Sequence, residues 1–154
     1  TLTAGCYSGN NISIGTATLG AGTYYFTGSG IVTINGAVDG TAGVTLDIIS
    51  AGLEMTKGNS ALDLTPPTTG TFNGVSIYMP LANASQIKFD KGSSTSSIGG
   101  FIVAPGAELS LQDNGGSTIV DGLVIHDIDT GPASLTINGY SAATSPLKYV
   151  ALVE

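Results

Sequence analysis

Gly99-Gly100-Phe101-Ile102-Val103-Ala104-Pro105-Gly106-Ala107-Glu108-Leu109-Ser110-Leu111 reads as two short strands joined by a corner. The first strand, Phe101 to Ala104, is apolar on both faces. Pro105 and Gly106 then turn the chain, because proline fixes φ and cannot donate to a ladder while glycine tolerates a tight bend. Glu108-Leu-Ser-Leu111 resumes with polar/apolar alternation, the period of a half-buried strand.

Variants of this unit recur along the chain. The pattern of a glycine followed by an apolar strand begins at Gly43, Gly74, Gly100 and Gly122, at intervals of 31, 26 and 22 residues. A second, alternating strand comes after each: Leu62–Leu64, Ile87–Phe89, Leu109–Leu111 and Leu135–Ile137. A repeat of about 20–30 residues carrying two or three strands suits one coil of a parallel β-helix, where equivalent inward side chains stack and no rung buries its apolar face alone. The drift in the period follows if only corner length varies.

The fold expected is therefore all-β, a single-stranded parallel β-helix of about five coils, right-handed by the general preference of parallel crossovers. Residues 1–154 form one domain, with 1–20 a lead-in or cap, 21–140 the coils and 141–154 a terminal strand at Leu147–Val153. Thr65-Pro66-Pro67-Thr68-Thr69-Gly70 reads as a stiff polar loop. A β-sandwich built from the same short strands is the structural alternative.

Composition supports strands and limits function. Only 10% of the residues are charged, against about 25% in an average domain. The polar surface must come from Thr, Ser, Asn and Gly, which favour strands and turns over helices. No segment sustains the three-and-four spacing of a helix. There is no arginine, the four lysines are Lys57, Lys88, Lys91 and Lys148, and the net charge is -7, so nucleic-acid binding has no electrostatic footing. An anionic membrane surface would repel the domain, and no apolar run is long enough to span a bilayer, so we expect a soluble domain without membrane contact of its own. Such a composition fits a secreted or cell-surface protein. Cys6 has no internal partner and reads either as a small buried hydrophobe or as half of a bridge to a part of the native protein outside this sequence. The start at Thr1 without Met suggests an excised piece.

Candidate chemistry is dispersed. His126, Asp127 and Asp129 invite a catalytic or metal reading, but on one strand His126 and Asp127 point apart while Asp127 and Asp129 share a face. No Gly-x-Ser-x-Gly elbow is present. Paired carboxylates for glycoside hydrolysis can be drawn from Asp47, Asp63, Asp121, Asp127 and Asp129, with no signal that singles out a pair. Calcium is the most credible ion, from Asp39, Asp90, Asp113-Asn114 or Asp127/Asp129, yet none fits the spacing of a known calcium loop. Thr33, Thr45, Ser76 and Thr136 read as solvent-facing polar rungs. Tyr24, Tyr25, Tyr78 and Tyr140 could form a sugar-stacking or partner patch, with Tyr24 and Tyr25 facing opposite ways. We assign no catalytic, cofactor or metal residues and expect a chain that is not an enzyme.

Most of the chain resembles the C-terminal region of TadG-like proteins of the tight-adherence (Flp) pilus assembly system. Gly22-Thr-Tyr-Tyr-Phe26 is similar to that family's Pro-Gly-x-Tyr-Tyr strand, with Ala21 where proline is common. Asn35-Gly-Ala-Val-Asp-Gly40 followed by Gly43-Val-Thr-Leu46 resembles its next coil. Thr65-Pro-Pro-Thr-Thr-Gly70 running into Asn73-Gly-Val75 resembles its Ala-Pro-x-x-Gly and Gly-apolar pair, and Gly100-Phe-Ile-Val-Ala-Pro-Gly-Ala-Glu-Leu109 its Gly-x-Ile-Tyr-Ala-Pro-x-Ala-x-Leu corner, with Val103 in place of Tyr. The resemblance implies an extracytoplasmic, pilus-associated structural or adhesion module, minor-pilin-like or at a tip, anchored by an N-terminal membrane segment. Its implied partners are other pilus subunits or surface glycans and proteins. A carbohydrate-binding or carbohydrate-processing β-helix is the rival reading, and a cytoplasmic solenoid that polymerises through uncapped ends is a third.

Overall fold

The computed structural model describes residues 1–56, 58–90, 94–112 and 116–139. Its strands are β1 (Gly5–Tyr7), β2 (Asn11–Ile14), β3 (Ala17–Thr18), β4 (Gly22–Ile34), β5 (Ala37–Gly40) and β6 (Val44–Met55). They continue with β7 (Ala61–Leu64), β8 (Val75–Tyr78), β9 (Ile87–Phe89), β10 (Thr95–Leu111), β11 (Ser117–Thr130) and β12 (Ser134–Ile137). Every strand pairing is parallel. No helix occurs among the described residues. This is the pairing of a β-solenoid, not of a sandwich, whose hairpins would make antiparallel neighbours.

Each turn has three sides. The first side carries β1, β8 and the 22–26, 44–48, 101–104 and 122–125 parts of β4, β6, β10 and β11. The second carries β2, the later halves of β4 and β6, β9, and the ends of β10 and β11. The third carries β3, β5, β7, the starts of β10 and β11, and β12. About six turns result. One more appears than the repeat suggested, because residues 1–20 place β1, β2 and β3 in register on β4 and β5. The expected terminal strand at Leu147–Val153 lies outside the described residues.

The core is a set of straight columns. On the first side Tyr24, Leu46, Ile77 and Ile102 stack at successive levels, each no more than 1% exposed. On the second, Val32, Leu53, Ile87 and Leu109 do the same, beside Ile34, Met55, Phe89 and Leu111. Levels in a parallel sheet are about 4.8 Å apart, so each side chain lies in contact with its counterparts above and below. Burying one such Leu or Ile contributes roughly 1.5–3 kcal/mol, and only neighbouring turns supply the burial.

The glycine pattern marks the corner between the third and first sides. Gly43, Gly74 and Gly100 have φ of 98°, 79° and 72°. At Gly100 the need is double, since a Cβ there would lie 2.5 Å from the Gly74 carbonyl oxygen and 2.7 Å from Pro66 Cγ. Gly122 does not occupy this position. It pairs with Phe101, whose Cε1 would lie 2.5 Å from a Cβ on residue 122, so glycine there makes room for a ring. Asp121 stands at the corner instead, and its Oδ2 accepts the Gly100 N–H at 2.6 Å. The second strands of the repeat also divide: 62–64 and 135–137 lie on the third side, whereas 87–89 and 109–111 lie on the second.

Candidate functional site

A broad concavity faces the first side and is built by an insertion. Between β7 and β8 the chain makes a ten-residue excursion, 65–74, where other turns cross the same corner in a few residues. Pro66 and Pro67 restrict its backbone, and hydrogen bonds tie both ends to the coil. The Val44 N–H donates to the Thr65 carbonyl at 2.8 Å and the Phe101 N–H donates to the Gly74 carbonyl at 2.9 Å, while the Gly74 N–H closes the loop on itself by donating to the Pro67 carbonyl at 2.9 Å. Phe72 is anchored against Tyr78, ring centroids 5.4 Å apart. The loop thus forms a braced wall facing Thr23 and Tyr25 of β4 and the 41–43 corner, and encloses a cleft of about 580 Å³.

None of the described residues lining this cleft is charged. Six are threonines, Thr23, Thr41, Thr65, Thr68, Thr69 and Thr71, and two, Tyr25 and Phe72, are aromatic. Thr41 is committed, donating both its N–H and its hydroxyl to Asp39 Oδ1, which holds the Asp39 carboxyl below the usual range. The pattern offers hydroxyl donors and acceptors beside aromatic faces.

Asp47 lies in the outward column between Tyr25 and Tyr78. It is 7% exposed and its Oδ1 has no hydrogen-bond partner among the described residues. Burial pushes its carboxyl above the usual range, because desolvation penalises the charged form. Tyr24, by contrast, points into the core, as alternation requires, and its hydroxyl donates to the Leu2 and Gly20 carbonyls at 2.8 and 3.0 Å.

The other candidate residues are scattered. His126 sits at the corner between the first and second sides, opposite Pro105-Gly106-Ala107. Asp127 and Asp129 share the outer face of the second side, as expected, but each is engaged locally: Asp127 Oδ1 accepts the Ile128 N–H and Asp129 Oδ2 accepts Gln112 Nε2. Asp63 is on the third side and accepts the Ser97 N–H, and Asp121 serves the Gly100 corner. The carboxylates proposed for hydrolysis therefore lie on three different sides. Of the calcium candidates, Asp39 serves Thr41 and Asp90 lies 3.6 Å from Lys88 Nζ, while Asp113-Asn114 falls outside the described residues. Among the described residues no three His, Cys, Asp or Glu side chains converge on a metal position.

The threonine and serine rungs are corrected by the structure. Thr33 and Thr136 lie on different sides, and Thr45 and Ser76 are fully buried. Their hydroxyls donate to the Val75 and Gly99 carbonyls, pinning turns together. Tyr140 lies outside the described residues. Cys6 is exposed, not buried, and is paired in register with Tyr25.

The cleft itself was not anticipated, because its two walls are more than forty residues apart in sequence. The Thr65–Gly70 composition was its only signal. No helix among the described residues is long and apolar enough to cross a membrane. No family model, curated protein or solved structure matches the chain.

Proposed function

We propose that this domain is a non-enzymatic structural and adhesion module that works outside the cytoplasm and contacts its partner through the first side of the solenoid. The observation that carries this reading is the braced, uncharged cleft of threonines and aromatics under the 65–74 loop. A wall fixed before binding loses little conformational freedom on contact, which favours recognition. Asp39, Asp63, Asp121, Asp127 and Asp129, in contrast, are spread over three sides and held in separate local hydrogen bonds.

The stack also suits a spacer. Six turns bonded in parallel register form a rod with surfaces at fixed offsets. The resemblance to TadG-like pilus-assembly proteins supports placing such a rod at the cell surface, minor-pilin-like or near a tip, among other pilus subunits or surface glycans. Two experiments test the reading. Beads coated with the domain are expected to adhere to cells or extracellular matrix without releasing reducing ends from a polysaccharide panel. Sustained turnover of any polysaccharide would overturn it. For the pilus assignment, the native sequence upstream of Thr1 is expected to hold a membrane segment, and a cytoplasmic start without one would contradict it.

A further inference from the structure

We infer that the cleft beneath the 65–74 loop is a binding site for a neutral polysaccharide, with Tyr25 as its stacking platform; this deepens the adhesion reading and rests on it. Charge narrows the ligand first. Among the described residues the lining holds neither cation nor carboxylate, and the whole chain carries a net charge of -7. An acidic glycan would meet repulsion with no compensating base, and a basic peptide would be drawn instead to the carboxylates of the second and third sides. A neutral ligand is the one that this surface does not reject.

Ligand chemistry follows from the side chains. Sugar rings present apolar C–H faces with hydroxyl edges, and they need an aromatic plane beside donors and acceptors of modest polarity. Tyr25 and Phe72 supply aromatic surface on the floor and wall. Thr23, Thr68, Thr69 and Thr71 supply hydroxyls, each able to donate once and accept twice. Gly43 and Gly70 leave the backbone uncovered, since a Cβ at Gly70 would meet nothing within 4 Å and one at Gly43 only Pro67 Cα at 3.9 Å. A volume of about 580 Å³ falls within the ~300–1,000 Å³ usual for ligand sites. Bracing by Pro66, Pro67, the Thr65 and Pro67 carbonyls and the Phe72–Tyr78 contact holds the wall in place before a ligand arrives.

Isothermal titration of the whole domain with cellohexaose, maltohexaose and mannohexaose tests the inference, with oligogalacturonate as the acidic comparison. At least one neutral hexasaccharide is expected to bind, with little change between low and high salt, and the acidic oligosaccharide is not. Tyr25→Ala is expected to weaken binding about tenfold, the scale of one aromatic stacking contact. Tyr25→Phe keeps the ring and is expected to stay within about twofold of the parent, and Tyr25→Ala is expected to keep the parent's cooperative unfolding transition, so that a loss of binding in it reports stacking and not misfolding. Failure of all three neutral probes, binding that Tyr25→Ala leaves intact, or a preference for the acidic oligosaccharide would each overturn it. If adhesion to cells persists while all neutral probes fail, the ligand assignment falls and the adhesion reading stands.

Discussion

Replacing Asn83 tests how the corners are held. Asn83 is 5% exposed and reaches from the segment after β8 back to the turn before it. Its Nδ2 donates to the Ile48 and Ala51 carbonyls at 2.9 and 3.0 Å, and its Oδ1 accepts the Ser85 N–H at 3.0 Å. Ile48 and Ala51 flank the bend between the first and second sides in β6, where backbone carbonyls turn away from the ladder. Asn83→Ala leaves those two carbonyls and one N–H without partners, and at about 1 kcal/mol apiece the cost is about 2–4 kcal/mol. Asn83→Asp separates this account from simple loss of packing. An ionised carboxylate cannot donate, and it sets negative charge against two carbonyl oxygens, so at about pH 7 this variant is expected to be less stable than the alanine. The buried aspartate has a raised pKa in the folded state, so its penalty shrinks as pH falls toward the unfolded value near 4. Urea unfolding at both pH values reads the difference, and hydrogen exchange at the Leu53 amide, which bonds to the Gln86 carbonyl, reads opening of the bend itself. If Asn83→Ala costs under about 0.5 kcal/mol, a typical surface value, or if Asn83→Asp matches the parent at neutral pH, the corner is not held in this way.

Other consequences can be measured with the same unfolding assay. Thr118 is fully buried with its Oγ1 unpartnered among the described residues, so the near-isosteric Thr118→Val is expected to stabilise by about 1–2 kcal/mol, and a loss of stability would show a missed partner. Asp47 has a folded pKa above its unfolded one, so its favourable state is complete below about pH 4 and is lost as pH rises through the folded value; Asp47→Asn is expected to raise the melting temperature near neutral pH and to leave it unchanged in acid. Gly100→Ala forces a side chain into φ of 72° and against the Gly74 carbonyl, and is expected to cost more than the ~1–3 kcal/mol of the backbone conformation alone, whereas Gly70→Ala, with open space around it, is expected to cost only that.

The solenoid was legible because its punctuation is local. Glycine, asparagine and proline mark corners whatever the third dimension does, and inward Leu and Ile alternate with polar residues along each side. Where the reading slipped, a contact between turns was the cause. Gly122 resembles the corner glycines, but the ring of Phe101 one level away decides its position. Residues 1–20 looked like a lead-in because their strands are two to four residues long and the inward position over Tyr24 is Gly5, which contributes no apolar side chain to the pattern. Thr45 and Ser76 looked solvent-facing by alternation, and only the backbone of the next turn provides the carbonyls that bury them. The cleft was the least legible, since the residues facing each other, Tyr25 and the 65–74 wall, meet only after two turns have stacked.

The cleft depends on the parallel register of β4 on β6, which brings Tyr25 beneath the wall. A cysteine pair at Thr33 and Glu54, outward neighbours in that register, tests it directly in a Cys6→Ser background. Adjacent parallel levels lie about 4.8 Å apart, inside the ~4.4–6.8 Å Cα separation of a disulfide. The account predicts rapid, near-complete crosslinking of Thr33→Cys with Glu54→Cys and little with the offset pair Thr33→Cys and Thr56→Cys. Equal crosslinking of the two pairs, or none in the first, would contradict it.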